Sequence, residues 1–149
     1  MKEVTIGSAT KNDISEILEL LYEMKRPKPK TRSEKSLFKK KILRYLSDKD
    51  KKILVARHDS KIIGVVSMIF LTRLNHAKKE LYIPELVVSK SYRRQGVGKS
   101  LIDHCIKTAK KKGFFRIRLE SGKQRRAAHI FYPKLGFEQS SLSYHKNIR

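Results

Sequence analysis

Short β-rich runs alternate with amphipathic helical stretches along the whole chain, and this alternation limits the fold more than any other feature. Two of the runs, Ile53–Arg57 and Lys61–Leu71, are joined by His58-Asp59-Ser60, whose composition is typical of a hairpin turn. A hairpin makes these two strands antiparallel. The predicted element order, β-α-α-β-β-β-α-β-α-β, then describes one α/β unit with a partly antiparallel sheet. No repeat or linker interrupts it, so we expect a single domain over residues 1–149.

The other elements follow from hydrophobic periodicity and from helix start and stop signals. Thr10 is the predicted N-cap of a first helix, whose apolar stripe runs from Ile14 to Tyr22 and which must stop near Arg26, because prolines follow. Ser33 opens a second amphipathic helix, with an apolar face that ends at Leu46. The remaining predicted elements are strands at Val4–Ile6, Glu80–Val88, Phe114–Glu120 and Leu142–Ile148, a helix that ends at Gly113, and a helix at Arg126–Leu135.

The chain is strongly basic, with 36 Lys and Arg residues against 14 Asp and Glu and a net charge of +22. Such a charge attracts phosphorylated ligands, nucleic acid or acidic surfaces and repels polycations. The longest apolar runs, such as Ile62–Val66, are far shorter than the roughly 20 residues of a membrane helix, and the N-terminus lacks the apolar block of a secretory signal. Cys105 is the only cysteine, which excludes an internal disulfide and a cysteine zinc site. We expect a soluble, cytoplasmic protein with no metal and no membrane partner.

The turn after Val88 carries the most informative residues, Arg93-Arg94-Gln95-Gly96-Val97-Gly98-Lys99. It lies between a predicted strand and a predicted helix, where several free amides at the helix N-terminus can point at one anion. A Walker A loop would need glycine at Arg93, and a dinucleotide-binding fingerprint would need glycine at Leu101. The pattern [QR]-x-x-G-x-[GA] fits at every position.

A second block, Ala128-His129-Ile130-Phe131-Tyr132-Pro133-Lys134-Leu135-Gly136-Phe137, follows in the order and at the distance seen in one family. With the turn, it makes the chain resemble the GNAT superfamily of acyl-coenzyme A-dependent N-acetyltransferases along nearly all of its length. The resemblance implies a mixed sheet whose fourth strand, here 80–88, splays from the fifth, here 114–120. It also implies acetyl-coenzyme A as cosubstrate.

The resemblance further implies where the cosubstrate binds. The pantetheine arm would pair with the backbone of 86–88, and backbone amides of about Arg94 to Lys99 would hold the pyrophosphate. The amide of Leu86 would polarise the thioester carbonyl, where attack builds an oxyanion. Arg125 stands where many members have asparagine, which leaves open whether it meets the pantetheine arm or a cofactor phosphate. The predicted cofactor-binding residues are Leu86, Val87, Val88, Arg93, Arg94, Gln95, Gly96, Val97, Gly98, Lys99, Ser100 and Arg125.

Acetyl transfer to a primary amine requires a base for the ammonium and favours an acid for the departing thiolate. Tyr132 matches the family tyrosine near the sulfur and is the predicted acid; the alternative for it is an ordinary core stripe. Glu85, beside the proposed oxyanion donor, is the predicted base, directly or through water; the alternative is a simple ion pair with a lysine or arginine. His129 and His145 are alternatives by chemistry alone.

The acceptor is predicted from the basic loop Lys25–Arg32, which occupies the place of an acceptor wall in the family. Its cations favour a small amine that also bears phosphate or carboxylate and disfavour a lysine-rich tail. The first alternative function is nucleic-acid binding, because residues 93–126 contain twelve Lys or Arg residues, although few aromatics are present for base stacking. The second is a non-catalytic coenzyme A-binding protein of the same fold. A homodimer remains open.

Overall fold

A six-stranded sheet forms the centre of the structure, a computed structural model that describes residues 3–24 and 26–148. The strand order is β1-β2-β3-β4-β6, and β5 also pairs with β3. The strands are β1 (Thr5–Ser8), β2 (Lys51–His58), β3 (Lys61–Leu71), β4 (Glu80–Ile83), β5 (Leu86–Val88) and β6 (Ile117–Leu119). The helices are α1 (Ile14–Leu21), α2 (Arg32–Ser47), α3 (Val97–Lys112) and α4 (Arg126–Lys134), with single 3₁₀ turns at Lys11–Asp13 and Lys90–Tyr92. The predicted α/β class with a mixed sheet is confirmed.

Strand β3 is the middle of the sheet because it is apolar on both faces. It occupies the predicted range, Lys61–Leu71, and its residues 62–68 are all buried. Its antiparallel partners are β2 through the predicted hairpin, and β4 and β5 on its other side. A strand covered on both faces reads as a continuous hydrophobic run, which is the pattern of this segment.

Helices cover both faces of the sheet. Ile17 and Leu20 of α1 pack in one core cluster with Val65 of β3, and the apolar face of α2 packs against it. Gly64, the preceding residue of β3, points to the opposite face, where a Cβ would lie 3.0 Å from Leu101 of α3. The glycine therefore lets α3 approach the sheet closely.

Several predicted boundaries differ from the structure by one to three residues; the predicted N-cap Thr10, for example, caps the 3₁₀ turn at Lys11–Asp13, and Asp13 is the N-cap of α1. Two further differences have a clear physical cause. The N-cap of α2 is Thr31, not Ser33: the Thr31 hydroxyl accepts a hydrogen bond from the Glu34 amide at 3.0 Å, which satisfies one of the free donors of the first turn. Residues 142–148 form no strand in the described chain. The apolar residues that suggested a strand there are exposed, at 69% for Leu142 and 88% for Ile148, and an alternating pattern cannot form a ladder without a partner.

The chain divides into two compact units, Met1–Arg118 and Leu119–Arg149. The first contains the strands β1 to β5 and the helices α1 to α3, and the second contains α4. The prediction of one domain stays a prediction. None of the helices in the described residues is both long and apolar enough to cross a membrane.

Glu80 is a fully buried carboxylate at the start of β4. Its oxygens accept hydrogen bonds from Arg116 Nε at 2.8 Å and Arg118 Nε at 2.9 Å, across the junction with β6. Burial alone would raise the pKa of Glu80, but the hydrogen bonds from Arg118 and Arg116 outweigh it and hold the pKa below its ordinary value. The ion pairs therefore stabilise the folded state only while Glu80 is ionised.

We expect Glu80→Gln to lower the free energy of unfolding at pH 7 by about 3 kcal/mol, because it removes the buried negative charge to which Arg116 and Arg118 are bonded. Because the pKa of Glu80 is lower in the folded state, its ion pairs stabilise the fold fully at pH values above the unfolded pKa of about 4.3. This contribution is lost as the pH falls through the folded pKa. Urea denaturation of both proteins at pH 7 and pH 3 measures this difference. A difference of the same size at both pH values would contradict the ionic role of Glu80.

Candidate functional site

The predicted single strand 80–88 is interrupted at Pro84–Glu85, where β4 ends and β5 begins. Both halves pair with β3, but three residues of this side, 83–85, face only two residues of β3, 67–68. The interruption is therefore a one-residue β-bulge. Pro84 fits there because it has no N–H to give to a ladder. Before the bulge, β4 neighbours β6; after the bulge, β5 does not.

The bulge also determines which backbone groups of β5 are free. Two ladder hydrogen bonds fix its phase against β3: Ser67 N to Glu85 O at 3.0 Å, and Ser89 N to Ile63 O at 2.8 Å. Hydrogen-bonded pairs recur at every second residue of an antiparallel ladder. Leu86 and Val88 lie between them, so their N–H and C=O groups point to the opposite edge. No other strand of the described residues pairs with that edge, since β6 neighbours β4.

Glu85 projects its carboxylate beside the bulge, where Ser67 of β3 meets it. The Ser67 hydroxyl donates a hydrogen bond to Glu85 Oε2 at 3.0 Å and accepts one from the Glu85 amide at 3.1 Å. Among the described residues, no lysine or arginine forms an ion pair with this carboxylate. Within the described part of the chain, the half-buried Glu85 carboxylate is thus held by a neutral hydroxyl.

Tyr45 of α2 lies next to this pair. Its hydroxyl donates a hydrogen bond to the carbonyl oxygen of Met68 at 3.1 Å. Burial raises the pKa of Tyr45, the negative charge of Glu85 raises it further, and hydrogen bonding with the Ser67 hydroxyl opposes these effects. The phenol therefore stays protonated at neutral pH and adds a polar but uncharged wall to the Glu85 site.

The basic loop between α1 and α2 reaches the two ends of β5. Arg26 Nη2 donates to the carbonyl oxygen of Pro84 at 3.2 Å, and Glu23 Oε1 accepts from the amide of Lys90 at 3.1 Å. Arg26 thus contacts Pro84, the residue immediately before Glu85. Lys28 and Lys30 lie in the exposed or half-exposed part of the loop, and Lys25 falls outside the described residues.

The turn before α3 folds as a cradle of backbone amides. Arg94 and Gly96 both have left-handed φ angles, +61° and +83°, and Gly96 is the N-cap of α3. The first helical hydrogen bond runs from Ser100 N to Gly96 O at 3.0 Å. The amides of Val97, Gly98 and Lys99 precede that bond and have no acceptor within the helix. An anion at this end of α3 would meet these amides and the positive end of the helix dipole.

The side chains of the cradle are largely committed to other contacts. Arg93 Nε donates to Val88 O at 3.0 Å, which ties the turn to the free edge of β5, and Lys99 Nζ pairs with Asp103 Oδ2 at 2.8 Å. Val97 is buried and anchors the first turn of α3. Ser100 is one of the predicted cofactor-binding residues, but its amide donates to Gly96 O within the helix. Only its hydroxyl is therefore available to contact a ligand. Gln95 donates to Ser91 O at 3.3 Å.

Tyr132 and Arg125 belong to the second unit. Tyr132 lies in α4 with Phe131 and Phe137 around its ring, at centroid distances of 5.1 and 5.8 Å. Burial raises the pKa of Tyr132, with the charge of Arg125 acting in the opposite direction, so the phenol keeps its proton at neutral pH. Arg125 is exposed at the start of α4, where its amide donates to Gly122 O at 3.0 Å.

The two histidine alternatives lie on the same unit. His129 Nε2 is 2.9 Å from the carbonyl oxygen of Gly122. Because a carbonyl oxygen can only accept, this nitrogen carries a proton and donates a hydrogen bond to the backbone. That contact gives His129 a local structural use. His145 is exposed in the non-strand segment.

The structure thus brings together Glu85, the free edge of β5 and the cradle, all within the first unit. Ser67 and Tyr45 are additions that the sequence did not indicate as site residues. Ser67 had a signal: it is the one polar residue inside the apolar run from Ile62 to Leu71. Among residues 3–24 and 26–148, no three His, Cys, Asp or Glu side chains are placed to hold a metal ion.

Comparison with known proteins identifies the family. Residues 14–137 match the profile of the acetyltransferase (GNAT) family, which spans the bulge, the cradle and α4. This chain therefore belongs to the GNAT family. Members of the family typically use acetyl-coenzyme A.

Individual relatives agree with this assignment. An uncharacterised N-acetyltransferase of Methanocaldococcus jannaschii is 30% identical over 95% of this chain, which spans only 64% of that protein. An aminoalkylphosphonate N-acetyltransferase of Salmonella typhimurium is 27% identical over 94% of this chain and 88% of its own length. A crystal structure described as a transcriptional regulator from Bacillus halodurans superposes with a TM-score of 0.88 and 27% identity, over 98% of this chain and all of that one.

We expect Gly96→Asp to abolish acetyl-coenzyme A binding, because it adds a negative charge beside a diphosphate. Gly96→Asn adds no charge, so its loss of affinity should be at least about tenfold smaller than that of the aspartate variant. Both residues tolerate a left-handed φ and have nearly the same shape, and no atom lies within 4 Å of a Cβ at this position. Calorimetry gives the affinities, and thermal unfolding checks that both variants fold equally. Normal binding by the aspartate variant would contradict the cradle as the phosphate site.

Proposed function

We propose that this protein transfers an acetyl group from acetyl-coenzyme A to the primary amine of a small acceptor that also carries an anionic group. One observation carries the proposal: the free edge of β5 runs directly into the cradle at the start of α3. Outward N–H groups at Leu86 and Val88 are followed, within a dozen residues, by the unused amides of Val97, Gly98 and Lys99. A ligand with an amide-bearing arm and a diphosphate matches that sequence of donors.

The residues present fit coenzyme A. The pantetheine arm would lie along the backbone of 86–88, and the diphosphate would lie on the amides of about 94–99, where Gly96 leaves open space. Arg93, Arg94 and Lys99 add positive charge at the mouth of the cradle. When bound, acetyl-coenzyme A supplies an acetyl group activated as a thioester. Arg125 remains a proposed contact to the arm or to a phosphate.

The chemistry is assigned to three groups. The Glu85 carboxylate accepts the proton that the amine must lose, directly or through one water. The Leu86 amide donates to the carbonyl oxygen as negative charge develops there. The Tyr132 phenol, protonated because burial raises its pKa, donates a proton to the departing thiolate.

Charge supports an anionic acceptor. Arg26 lies on the carbonyl of Pro84, next to the proposed base, so a phosphonate, phosphate or carboxylate could bind there while the amine faces Glu85. The Salmonella relative is named for an acceptor of this kind, an aminoalkylphosphonate. A net charge of +22 would also draw such acceptors from solution and repel polyamines.

Removing one N–H tests the Leu86 assignment. Leu86→Pro deletes an amide that the β3 ladder does not use, and we expect kcat to fall by about 10²- to 10³-fold. Leu86→Ala keeps the amide and should stay within about threefold of the wild-type kcat. Thermal unfolding confirms that the proline variant folds; equal kcat values for the two variants would contradict an oxyanion role for this amide.

A panel of amines tests the acceptor class through the release of coenzyme A thiol. We expect kcat/KM to be at least about tenfold higher for an aminoalkylphosphonate or an amino-sugar phosphate than for spermidine or a lysine-rich peptide. Arg26→Gln should reduce the advantage of the anionic amines and leave the rate with an uncharged amino alcohol unchanged.

Faster turnover of polyamines or basic peptides would contradict the anionic acceptor. A protein that binds acetyl-coenzyme A, releases thiol with none of the amines and is unaffected by Tyr132→Phe would be the non-catalytic alternative. Salt-sensitive binding of nucleic acid without a response to acetyl-coenzyme A would favour the nucleic-acid alternative.

A further inference from the structure

We propose that Ser67 is a positioning residue for the reaction, whose hydroxyl fixes the orientation and the ionised form of the Glu85 carboxylate at the bulge. The inference rests on the proposed function, because it assumes that Glu85 takes the proton from the acceptor amine.

Three hydrogen bonds join Ser67 to Glu85, and the Ser67 hydroxyl also interacts with the Tyr45 phenol. The Ser67 amide donates to Glu85 O, its hydroxyl accepts from Glu85 N, and the same hydroxyl donates to Glu85 Oε2, at 3.0, 3.1 and 3.0 Å. Ser67 is 6% exposed. A buried hydroxyl with two well-formed hydrogen bonds to one partner constrains both the backbone and the side chain of that partner.

The first two contacts involve only backbone groups of Glu85, and the third involves its side chain. The bond from the Ser67 amide continues the β5 ladder and the Glu85 amide needs an acceptor, so both contacts would form even if residue 85 had no side chain. The bond to Oε2 acts only on the carboxylate. It is therefore the part of the arrangement that a purely structural role leaves unexplained.

For a carboxylate that must act as a base, a hydroxyl is a better hydrogen-bond partner than a cation. A neutral donor holds a carboxylate through one hydrogen bond without the stronger attraction of a full positive charge. The other groups that face this position are the Tyr45 phenol from α2 and the Arg26 guanidinium on Pro84 O from the loop. The Tyr45 phenol is uncharged at neutral pH.

In the proposed step, the bond from the acceptor nitrogen to the acetyl carbon forms and the carbon–sulfur bond breaks. Glu85 takes the first proton from the ammonium before attack, Tyr132 gives its proton to the sulfur, and the second proton released by nitrogen returns to Tyr132 through water. Ser67 keeps its own proton throughout. Its contribution is to point the carboxylate oxygen at the acceptor nitrogen.

The first test is direct titration of the Glu85 carboxyl carbon by ¹³C NMR, without acceptor or cosubstrate. Ser67→Ala removes the hydrogen bond to Oε2, so the midpoint of this titration should lie above that of the wild type, while Ser67→Thr keeps the hydroxyl and should restore it. Ser67→Cys, with a weaker donor of similar size, should give a smaller rise and serves if the alanine variant does not fold. An unchanged pKa in Ser67→Ala or Ser67→Cys overturns the proposal.

The second test is the pH profile of kcat/KM for the acceptor. The acidic limb should move up with the NMR value in Ser67→Ala, return in Ser67→Thr and disappear in Glu85→Gln. Thr108→Val removes another partly buried hydroxyl, one bonded to His104 O on α3, and should leave the limb in place. If Glu85→Gln removes the limb but Ser67→Ala does not move it, Ser67 has no positioning role and the proposed function stands. If Glu85→Gln leaves the limb unchanged, Glu85 is not the base and both proposals fail.

Discussion

The extra residue at Pro84–Glu85 is the constraint on which the rest of the candidate site depends. Without it, β4 and β5 would be one continuous strand. The bulge ends one run of pairing with β3 and starts the next out of phase, which leaves the outer edge of β5 to a ligand. It also brings the Glu85 carboxylate to the Ser67 hydroxyl. The free backbone edge, the proposed oxyanion donor and the proposed base are thus consequences of one local irregularity.

The same chain handles two strand carboxylates in opposite ways. Glu80 is fully buried and bonded to two arginines, which lower its pKa and make it a structural anion. Glu85, five residues later, meets a serine instead. In a sequence with 36 basic and 14 acidic residues, an ion pair is the default for a carboxylate. Among the described residues, the hydrogen-bond partner of the Glu85 carboxylate is instead the neutral Ser67 hydroxyl, with the Arg26 guanidinium one residue away on Pro84 O.

Much of this fold follows from local patterns, and the site follows from them only in part. The hairpin, the whole of β3 and the glycine stop of α3 agree with prediction, because periodicity and turn chemistry are local. The strand at Leu142–Ile148 was wrong, since pairing depends on a partner that alternation does not reveal. The bulge had one local signal, Pro84, within a predicted strand. The meeting of Ser67 with Glu85 had none, because it depends on a register shift between segments eighteen residues apart.

The cradle shows why the net charge is a poor guide to the binding site. Salt largely screens charges that lie farther from a ligand than the Debye length, about 8 Å at physiological salt. The many lysines and arginines of this protein therefore act mainly on the approach of an anion and not on where it binds. Two of the cradle's own cations are engaged, Arg93 with Val88 O and Lys99 with Asp103. The amides of the first turn of α3 are different: they are fixed by the left-handed Arg94 and Gly96, and they lose little freedom when an anion arrives. In the proposed function, lysine and arginine draw an anion toward this protein, and the backbone amides of the cradle hold it.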